Sequence, residues 1–299
     1  MKISIIGTGG VGGYFGSKFY LVGSNVVFIC RGKNLEVYKQ KGLSLESNNN
    51  RYLIKDAVFT DNYEKITDSD YIIITVKSYD TDTVAQQIKS YVSPNTLIIT
   101  VQNGINNDLK LASVLGSKNI IPGMAKIAVS TPEPGVIKHT SMGVIVIGEY
   151  NGEISQRLKT FSSYCEKAGI GCTISQNILK ERWDKFIWNC TYNIISAIYR
   201  LNLREILADE KLKELSIDTM KELYHLAKKE GYDFNIDESI KSKLEYTYNL
   251  GPFKTSTLQD VEKGKPLELE AFTGYILKLA KKHNLSLPIN KSLYKQIKK

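Results

Sequence analysis

An α/β fold, with an N-terminal Rossmann-type doubly wound sheet followed by an all-α C-terminal domain, is what this 299-residue sequence predicts, and three observations carry it. The chain opens on a short apolar run, Lys2-Ile3-Ser4-Ile5-Ile6, that meets a glycine-rich stretch at once. Two later runs, 71–76 and 97–101, are apolar without alternation, which marks strands covered on both faces. From Asn177 onward the apolar residues recur at helical spacing and strand-like runs stop. The expected division is 1–176 for a dinucleotide-binding domain and 177–299 for a helical one, with the site expected between them.

Gly7-Thr8-Gly9-Gly10-Val11-Gly12 follows the first strand and should open a helix. In a Rossmann unit Gly7 would make the tight turn, Gly9 would let a pyrophosphate approach, and Gly12 would pack helix on strand. The helix N-terminus then offers free N–H groups and the positive end of its dipole to the phosphates. The alternative is a plain strand-to-helix corner, and the order strand, glycines, helix argues against it. The next apolar run, 25–30, ends where an acid would hold the ribose 2′-hydroxyl of NAD. Here the chain reads Cys30-Arg31-Gly32-Lys33, and an arginine fork suits the oxygens of a 2′-phosphate. NADP(H) is therefore the expected cofactor; the alternative leaves Arg31 an ordinary solvated residue.

Residues 42–46 and 51–58 flank Ser47-Asn48-Asn49-Asn50 and read as an antiparallel excursion. Lys77 follows the 71–76 run, and Gln102-Asn103-Gly104 follows 97–101. Both stand at the carboxyl edge, where open α/β sheets bind ligands, so Lys77 and Asn103 are candidates for cofactor or substrate. A surface lysine and a helix-capping asparagine are the alternatives. A helix is expected over 81–91, strands over 120–130, 135–139 and 143–149, a helix over 154–167 and a strand over 171–175.

In the second half a helix over 179–199 carries Lys185, Asn189 and Asn193, successive i, i+4 neighbours on one face of an otherwise apolar segment. Burying them is costly without polar partners, which favours a ligand-facing stripe. Helices over 211–230 and 236–248 follow, then a break at Gly251-Pro252 and a helix start within 254–260. Pro266 as the first helical residue would place Glu268 in a first turn, where the dipole stabilises a carboxylate. The last long helix is expected to end near Lys282, leaving Lys291, Lys295, Lys298 and Lys299 in a frayed tail.

The net charge of +9 and pI near 9.1 raise the question of nucleic acid, but the lysines alternate with acids along helices, as on a solvated face. Four cysteines without C-x-x-C spacing argue against metal and disulfide frameworks. The first apolar run is too short for a signal peptide and no run reaches membrane-span length, so a cytoplasmic protein is expected.

Taken together, these residues resemble the ketopantoate reductase (2-dehydropantoate 2-reductase) family over nearly the full length. The family's glycine fingerprint falls on Gly7, Gly9 and Gly12, with Gly13-Tyr14-Phe15-Gly16 trailing, its 2′-phosphate arginine on Arg31, its lysine after the third principal strand on Lys77, and its Q-N-G turn on Gln102-Asn103-Gly104. The resemblance implies Lys185 as catalytic lysine, Asn189, Asn193 and Ser256 on the substrate side, and Glu268 as the acidic partner. It implies NADPH-dependent reduction of 2-dehydropantoate to (R)-pantoate, in pantothenate and coenzyme A synthesis. Where the family commonly has Thr before this glutamate and Asp two residues after it, this chain has Leu267 and Glu270. Two rivals stay open: a reductase of another branched 2-keto acid, and a non-catalytic NADP(H) sensor, which would need neither Lys185 nor Glu268. A small-molecule keto acid is the expected partner, with neither nucleic acid nor membrane; monomer and homodimer both stay open.

Overall fold

The protein, in a computed structural model that describes residues 1–298, divides into two compact units, Met1–Leu179 and Lys180–Lys299. The first unit alternates strands and helices: β1 (Lys2–Ile6), α1 (Gly10–Leu21), β2 (Asn25–Ile29), α2 (Gly32–Lys41), β3 (Leu43–Ser47), β4 (Asn50–Ile54), β5 (Val58–Thr60), β6 (Tyr71–Ile74), α3 (Thr81–Ile88), β7 (Leu97–Thr100), α4 (Asn107–Leu115), β8 (Ile120–Ser130), β9 (Val136–Ile147), α5 (Gln156–Lys167) and β10 (Gly171–Ile174). Among the described residues these strands make one ten-stranded sheet, ordered β4-β3-β9-β8-β7-β6-β1-β2-β5, with β10 beside β9. The pairs β7-β6-β1-β2-β5 are parallel, the doubly wound core of the sheet.

The apolar runs lack alternation because both faces are covered. Ile3, Ile5, Tyr71, Ile73, Ile99 and Ile121 pack on one side with Phe15 and Phe19 of α1 and Phe161 of α5. Their neighbours Ile72, Ile74, Ile98 and Ile120 point the other way, against Val84 and Ile88 of α3 and Leu111 of α4. Successive side chains thus feed two cores, which a period-2 strand does only when helices lie on both faces.

Two strand expectations need correction. Residues 51–58 are not one strand: β4 ends at Ile54, and Val58 begins β5, at the opposite edge of the sheet beside β2. Residues 135–139 and 143–149 are not two strands: β9 runs through Met142 and Gly143, whose φ values of 63° and 108° bend it while the ladder with β8 shifts register nearby. Such a bulge kinks a strand without ending it, and from sequence it looks like a turn.

The second unit is helical: α6 (Ile178–Trp188), which begins at the end of the first unit, a π-helical turn (Asn189–Asn193), α7 (Ile194–Tyr199), α8 (Leu203–Ala208), α9 (Glu210–Lys229), α10 (Ile236–Leu250), α11 (Ser256–Glu262), a second π turn (Glu270–Gly274), α12 (Tyr275–Lys282) and α13 (Pro288–Ile297). The expected frayed tail is corrected: Lys291 and Lys295 lie in α13 and Lys298 directly follows it, while Lys299 lies outside the described residues. Pro288 occupies the first turn of α13, and the N–H groups of Ile289 and Asn290 donate to the Glu222 carboxylate at 2.9 and 3.0 Å. An acid from α9 thus supplies what the helix start lacks, a partner for its unbonded N–H groups. Among the described residues no helix is long and apolar enough to cross a membrane.

Candidate functional site

The glycine loop sits between the ends of β1, β2 and β6. The N–H groups of Gly7 and Thr8 both donate to the Ile29 carbonyl at 3.1 Å, and the Thr8 hydroxyl donates to the same oxygen at 3.1 Å. From β6, the Thr75 hydroxyl lies 2.7 Å from the Gly7 carbonyl. Gly7 turns with φ +102°, and a Cβ there would lie 2.7 Å from the Val76 nitrogen. A Cβ on Gly12 would overlap the Gly7 carbonyl and the Thr75 hydroxyl, so α1 can lie on β1 only without one. Gly9 differs: a Cβ there meets nothing within 4 Å. The first i→i−4 bond of α1 is Gly13 N–H to the Gly9 carbonyl, at 2.8 Å, so the N–H groups of Gly10, Val11 and Gly12 precede the helical ladder. Two glycines jammed by backbone and one open to space are the pattern a pyrophosphate cradle requires, and the loop fits a dinucleotide.

Arg31 stands two residues past the end of β2 and just before α2; its side chain is 78% exposed, and its Nη2 lies 2.6 Å from the Asp80 carboxylate. Lys77 immediately precedes the turn Ser78–Asp80 that leads into α3. Asn103 is in the loop after β7, and a buried amide network fixes that loop. The Gln102 amide donates to the Val76 carbonyl and the Thr81 hydroxyl, at 2.9 and 2.8 Å. Thr81 in turn donates to Asn107 Oδ1, whose Nδ2 donates to the Asn103 carbonyl at 2.7 Å. These bonds tie the loops after β6 and β7 to each other. Gln102 and Asn107, 6% and 1% exposed, carry this coupling; the sequence marked Gln102 only as part of a turn and Asn107 not at all.

In the helical unit Lys185 is half-buried near the end of α6, and Asn189 and Asn193 are buried in the π turn that follows. The expected uninterrupted helix over 179–199 is thereby corrected: i→i+5 bonding inserts a wider turn, of the sort that recurs at functional sites. The two π turns pack against each other, Phe272 of the second stacks on Phe186 of α6 at 5.9 Å, and α11 packs on the first. Thr255, not Ser256, caps α11 through a 3.2 Å bond from the Leu258 N–H, which leaves Ser256 exposed at its first position. Glu268 also needs correction: Pro266 begins no helix, and residues 265–268 are irregular. The Glu268 carbonyl accepts from the Ala271 and Phe272 N–H groups at 3.1 and 3.2 Å, so Glu268 stands at the very start of the helical run, largely buried. Glu270, one of the two departures from the family pattern, is bound on the surface by the Tyr294 hydroxyl and by Lys298 at 2.9 Å, which hold its carboxyl below the usual carboxylate range.

The family described as ketopantoate reductase PanE/ApbA matches residues 3–152, and its C-terminal counterpart matches residues 177–299. A 2-dehydropantoate 2-reductase of Pyrococcus horikoshii is 31% identical, across 100% of this chain and 97% of its own. The crystal structure of the 2-dehydropantoate 2-reductase from Geobacter metallireducens GS-15 superposes with a TM-score of 0.93 at 28% identity, covering 100% of this chain and 99% of that one. A D-mandelate dehydrogenase solved with NADH and anilino(oxo)acetate shares the fold, with a TM-score of 0.93 at 21% identity over 100% and 97% of the two chains. With both halves of the chain matched in order and relatives spanning its whole length, this protein belongs to the ketopantoate reductase family.

Proposed function

We propose that the protein is an NADPH-dependent oxidoreductase that reduces 2-dehydropantoate to (R)-pantoate in the cytoplasm, within pantothenate and coenzyme A synthesis. The observation that carries the cofactor half is the steric contrast between Gly9, open to space, and Gly7 and Gly12, closed by backbone and hydroxyl oxygen. The substrate half rests on family membership and on relatives named for that activity.

The bound nicotinamide supplies a hydride to the ketone carbon. In this reading the loop 7–12 and the N–H groups that begin α1 hold the pyrophosphate, Arg31 meets the 2′-phosphate, and Lys77 and Asn103 contact the cofactor, Asn103 also the substrate. Negative charge develops on the ketone oxygen as the hydride arrives, and Lys185 stabilises it and delivers the proton. Glu268 accepts a hydrogen bond from the substrate hydroxyl, while Asn189, Asn193 and Ser256 bind the keto acid. Each amide donates and accepts, so both buried asparagines can serve a carboxylate or a hydroxyl.

Steady-state oxidation of NADPH and NADH across a panel of 2-keto acids tests this. The highest kcat/KM should fall to 2-dehydropantoate, with NADPH favoured by about ten- to a hundredfold, as a charge-assisted contact of roughly 1.5–3 kcal/mol gives. Equal use of both cofactors would remove the role of Arg31. A different keto acid at the head of the panel would transfer the chemistry to another substrate, an outcome that the shared fold of the D-mandelate dehydrogenase makes worth including.

A further inference from the structure

We infer that Asp80 sets the degree of discrimination between NADPH and NADH, because its carboxylate competes with the 2′-phosphate for Arg31. The inference rests on the reading that Arg31 receives that phosphate, and it adds a residue that works against it.

Asp80 occupies the position before α3 where a carboxylate ordinarily caps the helix, yet its side chain makes no capping bond. It reaches instead to Arg31 Nη2, 2.6 Å away. The two partners differ in freedom. Asp80 is held from both sides: its N–H donates to the Lys77 carbonyl at 2.9 Å, and its neighbourhood is pinned by buried Ser78 and Thr81, whose hydroxyls bond Asn103 and Asn107. Its side chain is 21% exposed, whereas that of Arg31 is 78% exposed. Asp80 is thus the fixed charge and Arg31 the one able to swing. The Tyr63 hydroxyl lies in the field of both, pulled down by Arg31 and pushed up by Asp80, although burial dominates and raises it.

A phosphate bound by Arg31 must take the guanidinium from Asp80 or share it, and sharing sets two anions side by side. An unphosphorylated ribose faces neither cost, since its 2′-hydroxyl can donate to the same carboxylate. The carboxylate therefore lowers affinity for NADPH and leaves or improves that for NADH. Discrimination is smaller than the arginine alone would give.

Calorimetric dissociation constants for NADPH and NADH, measured on the full-length wild type, Asp80→Asn, Asp80→Ala and Arg31→Ala, test this without turnover. The ratio Kd(NADH)/Kd(NADPH) should rise about three- to fivefold in both Asp80 variants, the scale of an exposed ion pair. A general folding defect would weaken both cofactors together and leave the ratio alone. A ratio that stays the same or falls in both Asp80 variants, while Arg31→Ala lowers it, overturns the inference and leaves the Arg31 assignment standing. If Arg31→Ala leaves the ratio unchanged, the Arg31 assignment itself fails, and this inference with it.

Discussion

The glycine loop of the sheet unit and the asparagine turn of the helical unit each hold candidate polar groups, by opposite means. Around Gly9 the polar groups are backbone N–H of a loop that is fixed by the Gly7 and Thr8 N–H groups donating to the Ile29 carbonyl and by the Thr75 hydroxyl donating to the Gly7 carbonyl, and no side chain is wanted. Around Asn189 and Asn193 they are side-chain amides set in an apolar helical wall, presented by a π turn that departs from α-helical spacing. On the proposed reading, a bound cofactor makes the first region intolerant of added atoms, and a bound keto acid makes the second intolerant of lost ones. Substitutions in the two should therefore fail differently, the loop in cofactor affinity and the helical stripe in turnover and substrate affinity.

The largest effect is expected from Lys185→Ala. Loss of a general acid should lower kcat by about 10²–10⁴ in steady-state NADPH oxidation, with the protein still folded by circular dichroism. Turnover within a fewfold of wild type across pH 6 to 9 would place the proton donor elsewhere. Gly12→Val comes next: its Cβ would overlap the Gly7 carbonyl and the Thr75 hydroxyl, and overpacking of that kind costs about 1–3 kcal/mol. Denaturant titration should show that loss, and NADPH affinity should fall with it; an unchanged midpoint would mean that α1 can shift on β1.

Asn193→Ala should raise KM for the keto acid by about tenfold and leave NADPH binding nearly unchanged, since lost uniform binding appears in KM. If NADPH affinity fell instead, the helical stripe would be doing the loop's work and the contrast between the regions would break. The smallest effect lies away from both. Glu149 accepts from Arg157 Nε at 2.6 Å and from the Ser155 hydroxyl at 2.5 Å, and these bonds, that of Arg157 above all, hold its carboxyl below the ordinary carboxylate value against the opposing effect of burial. Because the folded form binds its proton less readily than the unfolded form, the stabilisation is present above the ordinary carboxylate pKa and is lost as pH falls through the lowered one. With Arg157 partly exposed this amounts to about 1 kcal/mol. Glu149→Gln should lower stability at pH 7 and flatten that acid limb; an acid limb as steep as wild type would assign it to other carboxylates.

What the sequence disclosed divides along the same line as the two regions. The loop was legible because its chemistry is local: strand, glycines and helix follow one another without interruption over residues 2–21, and the steric roles of Gly7 and Gly12 follow from spacing. The all-helical character after residue 177 was legible from periodicity, whereas the even i, i+4 spacing expected of Lys185, Asn189 and Asn193 is broken by the π turn over Asn189–Asn193. The π turns were not legible, since apolar spacing varies too little between a π turn and the α-helix around it. Nor was α13, whose start is completed by Glu222 from another helix, a partner 67 residues away that no local pattern announces. The same applies to Asp80, which stands 49 residues from Arg31 in sequence and is brought to it only by the fold. Met142 and Gly143 misled in the other direction, since a bulge and a turn share the same residues.

The separation of cofactor binding from proton delivery is tested most directly by calorimetric titration of NADPH into two full-length variants side by side. In Gly9→Val the added side chain starts in open space, so the fold should survive while NADPH affinity drops by about tenfold or more, because the backbone can no longer approach the pyrophosphate. Lys185→Ala should bind NADPH as the wild type does and yet fail to turn over. A Gly9→Val protein that binds NADPH with wild-type affinity, or a Lys185→Ala protein that does not, would contradict the account.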